Sequence, residues 1–309
     1  MSTRNVVIDC DTGVDDALAL LLALRCTGFH VLGITTVAGN VPLDRVVPNT
    51  LTVVEHSGKQ VPVYRGMAAP LMAQLHTAEY AHGRSGLADQ TFPAPTLRVS
   101  DEHAVDFLVR TFMEASSPVE LITTGPLTNI GMALLREPRL NEHIPSLVMM
   151  AGGLVNGNST AAAEFNIYVD PEAADVVFRS KVPKKMIALE PISEGATIAP
   201  GNVDQLGKSS SPWCQMASRL LRWYLSRWKG PVSPCDPAAV GVAIDPGIAT
   251  SQSYHVVIET KGEHTRGMTL VDRRRRWRSE DKAPLPNADV VLSIDTQRYR
   301  ELFVNTLLG

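Results

Sequence analysis

The chain is poor in cysteine. Its four thiols, Cys10, Cys26, Cys214 and Cys235, are spread over 309 residues and form no C-x-x-C pair. That spacing excludes a zinc ribbon or a thioredoxin-like motif and points to a reduced, cytoplasmic protein rather than a disulfide scaffold. Net charge is nearly absent too: 29 basic residues face 32 acidic ones, for a formal charge of −3. A balance so close to zero gives no electrostatic reason to expect nucleic acid or a membrane surface as a partner. No apolar stretch is long enough to span a bilayer, and Met1–Asn5 leads into an apolar run without a signal-like segment. Low-complexity segments, internal repeats and Gly/Ser-rich linkers are also missing. Residues 1–309 are therefore expected to form a single domain, and a hydrophobic content of 44% suffices for a large core.

What is present is an alternation of short apolar runs with amphipathic segments. Strands are expected at 5–9, 31–37, 119–123, 146–150 and 185–189, and helices at 15–26, 44–57, 102–115, 127–136, 171–180 and 213–228. Continuous apolar strands alternating with helices predict an α/β fold, a mostly parallel open sheet of Rossmann-like type flanked by helices. Asp170-Pro171 supplies a cap residue followed by proline at the first helical position. Residues 252–295 read as a small C-terminal β-containing extension with a hairpin around 272–287. The run Arg273-Arg274-Arg275-Arg276-Trp277-Arg278 has the composition of a nucleic-acid patch. Its acidic neighbours Asp272, Glu280 and Asp281, with the near-neutral total charge, favour a solvated turn.

The most informative segment lies between the first strand and the first helix. Asp9, Asp11, Asp15 and Asp16 fall within eight residues, between Val6-Val7-Ile8 and the apolar run Ala17–Leu24. Carboxylates this close repel one another, and desolvation makes each worse. A bound cation resolves the conflict, and an all-oxygen cluster suits Ca²⁺ or Mg²⁺ rather than zinc. The carboxyl end of a strand is where open α/β sheets bind ligands. Acidic residues at a helix start need no metal, because the helix dipole already favours them. That accounts for Asp15 and Asp16 but not for Asp9 and Asp11 beside them.

The pattern D-x-D-x-G-x-D-D-A resembles the signature of the nucleoside hydrolase family of inosine–uridine-preferring type. Five later blocks agree in order: Val37-Ala38-Gly39-Asn40, His82-Gly83-Arg84-Ser85-Gly86-Leu87, Thr124-Gly125-Pro126-Leu127-Thr128-Asn129, Met149-Met150-Ala151-Gly152-Gly153 and Ala163-Glu164-Phe165-Asn166. The resemblance runs from about residue 5 to the C-terminus. It implies the nucleoside hydrolase fold, and one Ca²⁺ held by Asp11, Asp16, the Thr124 carbonyl and Asp236. A water and two ribose hydroxyls would complete an eight-oxygen shell, which suits Ca²⁺ better than Mg²⁺. It further implies Asp11 as the general base for the attacking water and Asn40 as the residue that orients Asp11 or that water. Asp15 and Asn166 would hold the ribose hydroxyls, with Met150, Asn158 and Glu164 around its 5′ end and His82 toward the base or its loop. The reaction implied is hydrolysis of a ribonucleoside to ribose and free base, by a homodimer or homotetramer.

At the late motif Ser233-Pro234-Cys235-Asp236, many family members carry His where this chain has Cys235, which resembles a subgroup with Cys there. A thiol has a reference pKa of about 8.5 against about 6.5 for imidazole, so it is the weaker acid. Cys235 either donates a hydrogen bond to the leaving base or fills space. Trp223, Tyr224 and Trp228 are candidates for contact with the base, and equally for core packing. Two other readings compete. Asp9-Cys10-Asp11 is similar to the nucleophile turn of haloacid-dehalogenase-type phosphatases, but Gly13 stands where that motif has Thr or Val. A nucleoside- or ribose-binding protein with reduced catalysis has the substitution at Cys235 in its favour.

Overall fold

The structure, a computed structural model, describes residues 3–274 and 284–309. Its strands are β1 (Arg4–Cys10), β2 (Phe29–Thr36), β3 (Val63–Arg65), β4 (Val119–Thr123), β5 (Leu147–Met150), β6 (Lys184–Ile187), β7 (Ala249–Tyr254), β8 (Val256–Ile258), β9 (Thr269–Val271) and β10 (Ala288–Ile294). Eight of them form one sheet in the order β3-β2-β1-β4-β5-β6-β10-β7. Every pairing in it is parallel except that of β7 with β10. Strands β8 and β9 pair separately and antiparallel.

The pleat divides the core. Along β1, Val6, Ile8 and Cys10 enter one apolar cluster while Val7 enters the other. The first cluster takes the helices Val14–Arg25, Leu43–His56, Pro212–Arg227, Asp236–Ile244 and Thr296–Leu308. The second takes Ala104–Glu114, Thr128–Arg136 and Pro171–Arg179. Helix Val14–Arg25 is buried on nearly all sides, from Val14 to Leu24. Its unbroken apolar run is what a helix enclosed by other helices requires. Asp170 caps helix Pro171–Arg179 as its sequence predicts, accepting from Ala173 N at 3.0 Å.

Chain order places the site. From β1 the chain moves outward through β2 and β3, then returns to start β4 on the other side of β1. The β1/β4 junction is thus the switch point where helices leave in opposite directions and a crevice opens at the strands' carboxyl ends. Asp9 pairs with Thr123 there.

The C-terminal region differs from its expected layout. Strand β10 sits inside the main sheet, parallel to β6 and antiparallel to β7. Strands β9 and β10 belong to different sheets and do not pair with each other, and the expected turn between them lies largely outside the described residues. Of the arginine run, Arg274 pairs with Asp272, and Arg273 donates to Leu154 O at 3.4 Å. Residues 275–278 lie outside the described residues, as do Glu280 and Asp281. Among the described residues no helix is long and apolar enough to cross a membrane.

Candidate active site

The acidic turn is built around its own helix start. Gly13 N donates to Asp16 Oδ2 at 2.9 Å, so the third residue of helix Val14–Arg25 turns back to satisfy the N–H before it. Asp16 also accepts from Asn40 Nδ2 at 2.9 Å, Thr124 Oγ1 at 2.7 Å and Asp11 N at 3.3 Å. Asn40 N donates to Asp11 Oδ2 at 2.6 Å. One asparagine after β2 therefore holds two carboxylates from the turn after β1. Two glycines make this possible by close approach. A Cβ on Gly39 would stand 2.1 Å from Asp11 Oδ2, and one on Gly13 would stand 2.5 Å from His82 Nδ1.

Beneath the turn, Asp9 Oδ1 accepts from Thr35 Oγ1 at 2.5 Å and Asn129 Nδ2 at 2.7 Å. Asn129 also donates to Thr36 O at 3.0 Å and accepts from Met67 N at 2.9 Å. Asp9 thus serves as a support under the cluster, tied to β2 and to the helix after β4.

Negative charge in the cluster is uncompensated. Asp9, Asp11 and Asp16 are fully buried, and Asp15 and Asp236 nearly so. Among the described residues lining the cleft above them there is no lysine or arginine. Burial pushes the carboxyls of Asp11, Asp15, Asp16 and Asp236 above the usual range, and neighbouring carboxylate charge adds to this at Asp11, Asp16 and Asp236. Burial brings Asp9 to about 7 despite its two side-chain donors. Asp9 Oδ2, Asp11 Oδ1 and Asp15 Oδ1 are buried without a hydrogen-bond partner. Asp15, Asp16 and Asp236 each bring one oxygen within 4.8 Å of the others. The converging oxygens of Asp15, Asp16 and Asp236, with the orphaned oxygen of Asp11 in the same turn and no cationic side chain among the cleft's described residues, fit a hard divalent cation.

The cleft above has a cavity volume of about 80 Å³ and opens to solvent. It is lined by every residue expected in the site except Asp11 and Asp16, which lie beneath it. Asn166 Nδ2 donates to Thr124 O at 2.7 Å and to Met150 O at 3.1 Å, joining the ends of β4 and β5. Glu164 caps the helix Phe165–Val169, accepting from Asn166 N and Gly152 N, both at 2.9 Å. Asn158 Oδ1 accepts from Phe165 N at 2.9 Å. Ala78, Tyr80, Ala81 and Phe165 also line the cleft and were not expected. Tyr80 stands two residues before the His82-Gly83 motif and is 72% exposed at the mouth.

The sequence profile described as "Inosine-uridine preferring nucleoside hydrolase" matches residues 6–301. The chain belongs to this family. It is 36% identical over 312 residues to the pyrimidine-specific ribonucleoside hydrolase RihA of Shewanella woodyi, covering 99% of this chain and 98% of that one. Among solved structures it superposes on an inosine-guanosine nucleoside hydrolase with a TM-score of 0.91 at 28% identity, covering 99% of both chains. The purine-preferring ribonucleoside hydrolase of Gardnerella vaginalis gives 0.88 at 29% identity, covering 98% of both.

In this nucleoside hydrolase His82 and Cys235 line the cleft beside the carboxylates, with His82 Nδ1 3.6 Å from Asp15 Oδ1. His82 Nδ1 accepts from Val14 N at 3.1 Å, so the imidazole caps the helix of the acidic turn. Burial lowers its pKa to about 4, which keeps the ring neutral. Cys235 Sγ lies 4.0 Å from Ser233 O, and burial with the charges of Asp15 and Glu164 pushes its pKa well up. The Trp223 indole donates to Ala81 O at 3.1 Å and so anchors the segment carrying Tyr80 and His82. Tyr224 stacks with Trp228 at 5.5 Å between centroids. Burial and the nearby charges of Asp15, Cys235 and Asp236 keep its phenol protonated.

Proposed function

We propose that this nucleoside hydrolase cleaves the N-glycosidic bond of ribonucleosides, releasing ribose and free base, with Ca²⁺ as its cofactor. The observation that carries this reading is the set of converging and orphaned carboxylate oxygens under a cleft at the β1/β4 switch point. Asp11, Asp16, Asp236 and the Thr124 carbonyl would hold the ion, with Asp15 in contact. When bound, Ca²⁺ supplies the charge that lets these carboxylates ionise together, and it fixes the ribose diol and a water.

The protein's own groups then divide the work. Asp15 and Asn166 orient the ribose hydroxyls, while Glu164, Asn158 and Met150 enclose the 5′ end. The bond from C1′ to the base nitrogen breaks, and its electron pair leaves with the base. Positive charge grows on the ribosyl ring, which the carboxylates beneath stabilise. Water oxygen bonds to C1′, and its proton passes to Asp11 Oδ1, the oxygen free of other partners. Asn40 holds the other oxygen of Asp11 in place. The departing base nitrogen gains a proton or a hydrogen bond at the Cys235 side of the cleft. Cys235 stands where many family members carry His, and we assign the chain to the subgroup with Cys there.

Relatives at 35–36% identity are named pyrimidine-specific, so uridine and cytidine come before inosine as substrates. Assembly as a homodimer or homotetramer completes the reading. Incubation with each nucleoside in added Ca²⁺, with ribose and base quantified, tests it: equimolar products support it, and no base release from any of them refutes it. The raised thiol of Cys235 also favours a second reading, a nucleoside-binding protein with reduced catalysis. An activated aryl riboside, whose leaving group needs no proton, separates the two. Its cleavage shows a working ribosyl site, and inertness favours binding alone.

A further inference from the structure

The loop between β5 and helix Phe165–Val169 carries Asn158 and ends at Glu164, on the sugar side of the cleft. Its near end turns tightly, since a Cβ on Gly153 would lie 1.9 Å from Asn156 O. Two carboxylates grip this loop, one at its own end and one from another element. Glu164 takes Gly152 N at 2.9 Å. Glu190, from helix Leu189–Gly195 after β6, takes three consecutive N–H groups: Leu154 at 2.7 Å, Val155 at 2.8 Å and Asn156 at 3.0 Å. No other acceptor for these three is found among the described residues. Successive N–H groups converging on one anion form a backbone nest filled here by a side chain. The bonds are charge-assisted, and lose their acceptor together if the carboxylate is removed.

Apolar packing does not replace this grip. Val155 is 60% exposed, and only Leu154 of the three reaches the core. The base of the loop is fastened separately. Thr269 of β9 accepts from Gly153 N at 3.0 Å and donates to Gly153 O at 2.6 Å, and Ala163 bridges to Met268. Thr269 and Met268 thereby fasten Gly153 and Ala163, and Glu190 holds Leu154–Asn156 at the near end between them. Beyond it, Asn158 N donates to Ala163 O at 3.2 Å.

We infer that Glu190, outside the cleft, is a positioning residue for the 5′ side of the sugar: it sets the loop that presents Asn158 and Glu164 to the substrate. The inference rests on the reading of the cleft as a ribosyl site. Its mark is selectivity. Loss of Glu190 weakens recognition of the 5′-hydroxyl and leaves the acidic turn and the reacting centre unchanged.

The test uses the full-length protein as wild type, Glu190→Ala and Glu190→Gln. Substrates are whichever of uridine or inosine the wild type cleaves and its 5′-deoxy analogue. Glu190→Ala is expected to lower kcat/KM for the ribonucleoside about tenfold, as for one lost substrate hydrogen bond, mainly through KM. The 5′-deoxy analogue should change less than about twofold. Glu190→Gln, which keeps one acceptor oxygen, should recover part of the loss. Amide exchange is the readout independent of activity: it should quicken at Leu154–Asn158 in Glu190→Ala and stay unchanged at Asp11–Asp16. Equal losses on both substrates, or none, overturn the positioning role. Unchanged exchange at 154–158 overturns the fastening itself. A wild type that cleaves neither nucleoside overturns the ribosyl reading and the role built on it, whatever the exchange shows.

Discussion

The backbone N–H of Cys235 donates to Asp15 Oδ2 at 3.3 Å, across 220 residues of chain. The bond ties the acidic turn after β1 to the start of helix Asp236–Ile244. The residue proposed to hold the ribose and the residue proposed to face the leaving base are therefore held as one unit. Because the bond uses the main chain of Cys235, side-chain variants there leave it in place and probe the thiol alone.

Cys235→Ala tests leaving-group activation. Burial and the charges of Asp15 and Glu164 hold the thiol protonated and make it a poor acid. The variant is expected to keep kcat on nucleosides within about tenfold, and an aryl riboside should be unaffected. A fall of about 10²-fold or more on nucleosides alone would identify Sγ as the proton donor.

Asp11→Asn separates function from stability. The amide oxygen can still accept from Asn40 N, so the local geometry survives. Loss of the base should lower kcat by about 10²- to 10⁴-fold. Removing one charge from a repelling cluster should also raise the melting temperature in chelator. Parallel kinetics and thermal unfolding check both signs.

The pH dependence of metal stabilisation follows from the raised carboxyls. In the metal-free folded state Asp11, Asp15, Asp16 and Asp236 titrate above their usual range, and Asp9 near 7. From about pH 4 upward the folded state holds protons that the unfolded chain has released, so metal-free stability falls as pH rises through this window. His82 acts oppositely: with its folded pKa near 4, its contribution is lost as pH falls from about 6.5 towards 4. The five carboxyls outnumber it. Calcium, which favours the ionised cluster, should raise the melting temperature more at pH 8 than at pH 5.5. Calorimetry with and without chelator measures the difference, and a larger effect at the lower pH contradicts the assignment.

Asn129→Ala probes the support beneath the cluster. It strips a donor from the buried Asp9 Oδ1 and from Thr36 O, and the acceptor from Met67 N. Unfolding in denaturant should show a loss of about 2–3 kcal/mol, the usual result of leaving buried groups unpaired.

The parts legible in the sequence were those fixed by local chemistry. Four carboxylates between an apolar strand and helix announced both the element boundary and the charge problem, and Asp170-Pro171 announced a helix start. Alternation gave the strands β1, β2, β4, β5 and β6 to within about three residues at each end. Illegible parts depend on partners distant in the chain. Ala288–Ile294 carries no local sign of lying between β6 and β7. Val63–Arg65 is too short for any pattern. Glu190 looks like an ordinary polar residue, and Asn129 closes a matched block without a stated role, until the fold sets one against three backbone N–H groups and the other against a buried aspartate.

The central claim is that the buried carboxylates form a cation site that operates ribosyl hydrolysis. The direct measurement is uridine hydrolysis by protein stripped with chelator and then titrated with Ca²⁺. The account predicts that activity falls to background on stripping and returns as about one equivalent of Ca²⁺ is bound. Full activity in the stripped protein, or none on any nucleoside after Ca²⁺ is restored, would contradict it.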